Sequence, residues 1–201
     1  TVEWLAQHEW CNGKVGMHGS SSPAWAEIAA ATQAPRGLVT IVPHAGTTNA
    51  YRDNLHRGGA RHLGMLQWLL NLAATSPKAQ AHPKDAEAVE ELVGNTSTFL
   101  QSAYKVPWQR GNSPLSKLPT YERAAFELFF GDQEFTPFWK QVNLSPDKHF
   151  DGFADIPVLW VTGWWDRNLG TTTRGYEMLR KRGRAHQYLL VGPWMHHFKF
   201  S

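Results

Sequence analysis

The sequence predicts an α/β fold in which a parallel sheet is interrupted by an inserted helical domain. Short apolar runs at 15–18, 38–42, 157–162 and 186–191 have strand length, and helical patterns at 24–32 and 171–181 alternate with them. That alternation is the order a parallel sheet with crossover helices requires. About a hundred residues in between carry apolar positions at helical period and no strand pattern. The expected layout is a core at 1–46, a helical cap insertion at 47–150 and a return to the core at 151–201.

Each element has a local reason. Residues 3–8 read as an amphipathic helix that stops near the turn signal Cys11-Asn12-Gly13. Residues 15–18 are a short buried strand, and the small residues at 19–22 form a turn. The Ala-rich stretch 24–32, with Trp25 and Ile28, is a helix that Pro35-Arg36-Gly37 breaks. Residues 38–42 are a β-branched strand ending at Pro43. In the insertion, Leu63, Leu66, Leu69, Leu70 and Leu72 give 61–74 helical spacing, and 83–93 and 120–130 are further helices. Asp85 and Glu87 sit early in the second, where the helix dipole favours acids. Residues 157–162 are a buried strand, 163–170 a loop, 171–181 a helix and 186–191 a last strand.

Composition narrows the function. Of 201 residues, 42% are hydrophobic and 18% charged, which supplies a core and argues against disorder. The net charge of +3 is mild. The densest basic run, Arg180-Lys181-Arg182-Gly183-Arg184, lies where a helix should end and is favoured there by the dipole. No nucleic-acid partner is expected, and no apolar run has the length of a membrane span. The single Cys11 excludes an intrachain disulfide, and the first residues do not form a signal peptide. The compartment, cytoplasmic or periplasmic and secreted, stays open. Ten tryptophans suit a large apolar pocket or cap, or an ordinary core.

Three loops at strand ends carry residues of one chemistry. Gly19-Ser20-Ser21 lies between a strand and a helix, the setting in which a sharp turn exposes a nucleophilic serine. Ser21 has Gly19 two residues before it and Ala24 three after, so its neighbours are small. Ser20 and Ser22 are poorer choices, since His18 and Ser20 precede them at the same spacing. Pro23 stands where a glycine is usual, and a plain helix cap explains the triple serine about as well. A serine needs a base and an acid that orients it. Asp166 follows the third strand and His196 the fourth, in the chain order Ser, Asp, His. His197 is the alternative base, and a His-His pair also suits a metal. No carboxylate or thiolate at metal spacing accompanies it, so neither metal nor cofactor is expected.

These residues resemble the cocaine esterase and X-prolyl dipeptidyl peptidase-like family of serine hydrolases, which includes the α-amino-acid ester hydrolases. The matching stretches are Trp10-Cys11-Asn12-Gly13-Lys14-Val15-Gly16-Met17, Tyr51-Arg52-Asp53 with Gly58-Gly59, Ile156 through Thr162 with Gly163-Trp164-Trp165-Asp166, and Gly192-Pro193-Trp194-Met195-His196. The resemblance implies a partial α/β-hydrolase sheet with Ser21 as nucleophile, Asp166 as acid and His196 as base. It departs at Ser22, where the family has Tyr, and at Ala24, where Gly is usual. Family members have strands ahead of the helix at Glu3, with a Tyr hydroxyl that completes the oxyanion hole, and a β-sandwich after His196. The chain is therefore expected to be an internal segment of a longer enzyme, with its first strand at an open sheet edge.

The expected activity is cleavage of an ester or amide (acyl ester, amino-acid ester or X-prolyl peptide) through an acyl-enzyme. The Ser22 N–H supplies one oxyanion donor. Trp68, Trp108, Phe138, Trp139 and Trp165 are expected around the substrate. The alternatives are a truncated remnant that binds without turnover, and an acyltransferase on the same triad. Expected partners are a small ester or amide, and either a second copy of the chain or flanking segments of the same enzyme.

Overall fold

The computed structural model describes residues 1–103, 107–131, 134–184 and 186–196. In chain order it contains α1 (Val2–Ala6), β1 (Val15–Ser20), α2 (Ser22–Ala31) and β2 (Leu38–His44). A small hairpin follows, β3 (His56–Arg57) and β4 (Ala60–Arg61). Then come α3 (Leu63–Ala74), α4 (Pro77–Ala81), α5 (Pro83–Gly94), α6 (Thr96–Ala103) and α7 (Pro119–Ala125). The chain closes with β5 (Val158–Gly163), α8 (Leu169–Lys181) and β6 (Gln187–Gly192). Two compact units result: residues 1–54 with 135–201, and Leu55–Glu134. The second unit is narrower than the expected insertion at 47–150, because 47–54 and 135–150 group with the sheet.

The first unit is built on a parallel sheet in the order β1-β2-β5-β6. Parallel strands bring like ends to one edge, so Ser20 pairs with His44, His44 with Val161, and Gly163 with Gly192. The loops carrying Ser21, Asp166 and His196 all leave from that edge, where open parallel sheets place their sites. The core joins Ile28 and Ala31 of α2, Leu179 of α8, and Phe150 and Phe153 to Ile41, Val158 and Trp160 of the sheet. On the opposite face Val39, Leu159, Tyr188 and Leu190 are exposed. β1 is an outer strand of the sheet.

The strands depart from the sequence reading in three respects that bear on the site and its surroundings. β1 runs on through Gly19 and Ser20, because the turn is confined to Ser21. β2 continues through Pro43 to His44. Proline belongs on edge strands, and this one is internal. Ile41 and Ala45 donate their N–H groups across to Pro157 and Val161 on the β5 side. Pro43, between them, has no N–H to offer, so the β2–β5 ladder loses a rung there. The third departure is the β3–β4 hairpin, a pair of two-residue strands too short to leave a pattern in the sequence.

The second unit is helical apart from that hairpin, among the described residues. Its α3 presents Leu66, Leu69, Leu70 and Ala73 as a buried stripe at helical spacing. Glu122 of α7 is buried and accepts from the Gly111 N–H at 3.0 Å and the Ser113 hydroxyl at 2.7 Å. No described helix is long and apolar enough to cross a membrane.

Candidate active site

Ser21 follows β1 and stands at the N-cap position of α2 with φ 62° and ψ −115°, a conformation a non-glycine residue rarely adopts. Neighbours hold it there. Its N–H donates to the His44 carbonyl at 2.9 Å, and its carbonyl accepts from the Trp25 N–H at 3.0 Å. The chain folds back so tightly that a Cβ on Gly19 would lie 2.5 Å from the Pro23 Cβ. Only glycine fits at that position, which gives the small-neighbour pattern of the sequence its steric cause.

The loops that carry Asp166 and His196 are joined to each other. The Trp164 N–H donates to the Gly192 carbonyl at 2.9 Å, and the Trp165 N–H to the Trp194 carbonyl at 3.3 Å. This brings His196 Nδ1 to 3.1 Å from both oxygens of Asp166, and His196 Nε2 to 3.0 Å from Ser21 Oγ. Asp166 and His196 are buried. Burial alone would raise the Asp166 carboxyl. The His196 side chain, the Asn168 N–H at 2.6 Å and the neighbouring imidazoles outweigh it and hold Asp166 below the ordinary carboxylate value. An ionised Asp166 can only accept, so Nδ1 carries the proton and Nε2 is left to accept from the Ser21 hydroxyl. His197 lies outside the described residues.

The other sequence-chosen residues fall in different places. Ser22 opens α2, with its N–H at the positive end of the helix. Trp165 is exposed beside Asp166, as are Trp164 and Met195. Trp139 is buried, edge-on to Tyr51 at 5.2 Å and to Phe138 at 5.1 Å, while Phe138 is partly exposed. Trp68 and Trp108 belong to the second unit, half-buried and buried respectively. Among the described residues no group of three His, Cys, Asp or Glu is placed to hold a metal ion.

Sequence reasoning missed three residues. His44 ends β2 at the same sheet edge, and burial pushes its imidazole down, with Asp166 opposing and His196 and His18 adding to the fall. Its place at a strand end was the available signal. Asn168 donates its N–H to Asp166 and its side-chain amide to the Ala45 carbonyl at 2.8 Å, tying the acid loop to the end of β2. Its sequence carries no signal beyond a polar residue two after the acid. Glu27 is buried in α2 and falls on the stripe Ala24, Glu27, Ile28, Ala31, whose helical spacing was legible.

A family model described as X-Pro dipeptidyl-peptidase (S15 family) matches residues 1–198. The chain belongs to the S15 family. A curated relative, the cocaine esterase of Rhodococcus sp. (strain MB1 Bresler), is 26% identical over 203 residues, covering 98% of this chain and 33% of that enzyme. The chain thus spans about a third of that relative's length. Among solved structures, an α-amino acid ester hydrolase superposes with a TM-score of 0.60 at 19% identity, covering 97% of this chain and 30% of that one. A CocE/NonD family hydrolase from Staphylococcus aureus gives 0.56 at 18% identity, covering 95% and 26%. At those identities the likeness shows the fold, a partial α/β-hydrolase sheet. The S15 family is one of hydrolases.

Proposed function

We propose that the chain carries the catalytic residues of a serine hydrolase that cleaves an ester or an amide through an acyl-enzyme. The observation that carries this is His196, with Nε2 3.0 Å from Ser21 Oγ and Nδ1 3.1 Å from Asp166, beside a serine held at φ 62°. Ser21 Oγ attacks the carbonyl carbon while His196 Nε2 takes the hydroxyl proton. The imidazolium formed is stabilised by the Asp166 carboxylate. The Ser22 N–H, at the helix start, donates to the oxyanion. Collapse passes the proton to the leaving alcohol or amine and leaves the acyl group on Ser21. Water, activated by the same imidazole, releases the acid.

Kinship with a cocaine esterase and an X-Pro dipeptidyl-peptidase family supports an ester or an X-prolyl amide as substrate class. The exposed Trp164, Trp165 and Met195 next to the acid and base suit an apolar or aromatic group on that substrate. The test is labelling with a fluorophosphonate and turnover of an aryl ester. Labelling of the wild-type protein that Ser21→Ala abolishes is the expected result. An unlabelled wild-type protein would leave a ligand-binding remnant, and acyl products formed with an added alcohol in place of water would mark a transferase.

A further inference from the structure

Glu27 is the only acidic residue of α2, a helix otherwise rich in alanine. It is 1% exposed, and a carboxyl so placed is costly without partners. Its Oε2 accepts from the Val42 N–H at 3.1 Å, and the Gly19 N–H acts on the same carboxyl. Its Oε1 is buried without a hydrogen-bond partner. Ile41 and Ala45 turn their N–H groups toward β5, so Val42 between them turns its own toward β1. The carboxyl therefore reaches the seam where β1 and β2 pair from the α2 side. Gly19 is two residues before Ser21 and Val42 two before His44. The next amide beyond Gly19 that faces β2 is thus that of Ser21, whose bond to the His44 carbonyl holds the candidate nucleophile.

We propose that Glu27 is a positioning residue for Ser21: set between the Gly19 and Val42 amides, its carboxyl fixes the spacing of β1 and β2 beneath the elbow and so the approach of Ser21 to His196. The inference rests on the hydrolytic reading above. Burial pushes the Glu27 carboxyl up to about 7, against the lowering pull of the Val42 and Gly19 amides. The titratable groups on the strands packed against α2 are His18 on β1 and His44 on β2. The segment that meets the end of α2 through Gly152 and Ala154 carries Asp147, Lys148, His149, Asp151 and Asp155. Asp147 is held by Asn49 and Arg52, Asp151 by Arg182, and His149 by the Lys140 carbonyl. The causes of the Glu27 shift are burial and the two amides. An ionised carboxylate draws both amides in; a neutral one holds them less tightly, so the elbow's alignment follows the proton on Glu27.

The experiment measures the fluorophosphonate labelling rate of the full-length protein against pH for wild type, Glu27→Gln and Glu27→Leu. Glutamine keeps the shape and one acceptor but cannot ionise. The expected result is a wild-type to Glu27→Gln rate ratio that steps through about pH 7. Glu27→Leu, lacking an acceptor for Val42, should label about tenfold more slowly than Glu27→Gln, since small misplacements of a reacting atom cost this much or more. A ratio that stays flat with pH overturns the inference, as does Glu27→Leu labelling as fast as Glu27→Gln. If Glu27→Leu does not fold, the Glu27→Gln ratio alone decides. A wild-type protein that does not label at any pH overturns the hydrolytic reading and this inference together, whereas a labelled wild type with a flat ratio overturns this inference alone.

Discussion

Asp166, a member of the candidate triad, and Glu27, beneath its serine, are two buried carboxyls driven in opposite directions. Asp166, on the loop after β5, is met by an imidazole and a backbone amide, and it lies below its ordinary value. Glu27, under the elbow, is met by backbone amides alone and leaves one oxygen unpartnered, and burial pushes it up to about 7. Both lie in the same unit and both are nearly inaccessible to solvent. Depth alone does not fix the charge of a buried acid; the partners that reach it do. Asp53 adds a third case, held low against burial by Arg52 and Arg174.

Replacing Asp166 should cost the most. In Asp166→Asn an amide faces His196 Nδ1, and the imidazole loses the carboxylate that fixes its tautomer. Turnover of an aryl ester should fall by about 10⁴-fold, the scale seen when a triad acid is so replaced. Circular dichroism should show the fold retained. A loss of less than tenfold would mean that Asp166 does not orient the base.

Stability against pH sharpens the same contrast. The folded Glu27 binds its proton more tightly than the unfolded chain, at about 7 against 4.5. Its contribution is therefore complete below pH 4.5 and is lost as pH rises through about 7, a change of about 3 kcal/mol. Asp166 has the opposite sign. Its folded value lies below 3.8, so its contribution is complete above that and is lost as pH falls beneath it. Denaturant melts between pH 4.5 and 8 should show wild type losing stability that Glu27→Gln retains. Parallel curves for the two proteins would remove burial of Glu27 as the source of the difference.

The smallest expected effect is steric. Gly19→Ala places a Cβ 2.5 Å from the Pro23 Cβ and 3.0 Å from its carbonyl carbon. The strand must shift, at a cost of about 1–3 kcal/mol in a thermal or chemical melt. Labelling of Ser21 should slow with it. An unperturbed melting temperature would show that α2 can move away from β1 more freely than its packing implies.

Much of the fold was legible because its signals are local. Strands β1, β2, β5 and β6 announce themselves as apolar runs, and α3 as leucines at helical spacing. Ser21, Asp166 and His196 could be chosen from the sequence because chain order and strand-end position constrain a candidate triad more than any one residue does, and the structure brings the three side chains within hydrogen-bond reach. The rest depends on contacts between distant residues. Asn168 reaches Ala45 across 123 positions, and Glu27 reaches Val42 across 15. No single stretch of sequence records such pairings. The end of β2 was misjudged for a related reason: Pro43 argues for a stop, and only the sheet order reveals that the chain accepts a missing rung there. The extent of the second unit follows from packing between segments, which composition does not report.

That missing rung has a mechanical consequence. Ser21 rides on β1 and β2, whereas Asp166 and His196 ride on β5 and β6, which pair without interruption from Val158 to Gly163 and are joined again by the Trp164 and Trp165 amides. Between these two rafts the ladder is thinned at Pro43. The candidate triad is therefore expected to have a stiffer joint between Asp166 and His196 than between His196 and Ser21. Opening of the β2–β5 seam is therefore expected to lengthen the Ser21 to His196 distance before the His196 to Asp166 distance, with the Asn168 amide on the Ala45 carbonyl as the tie that resists it.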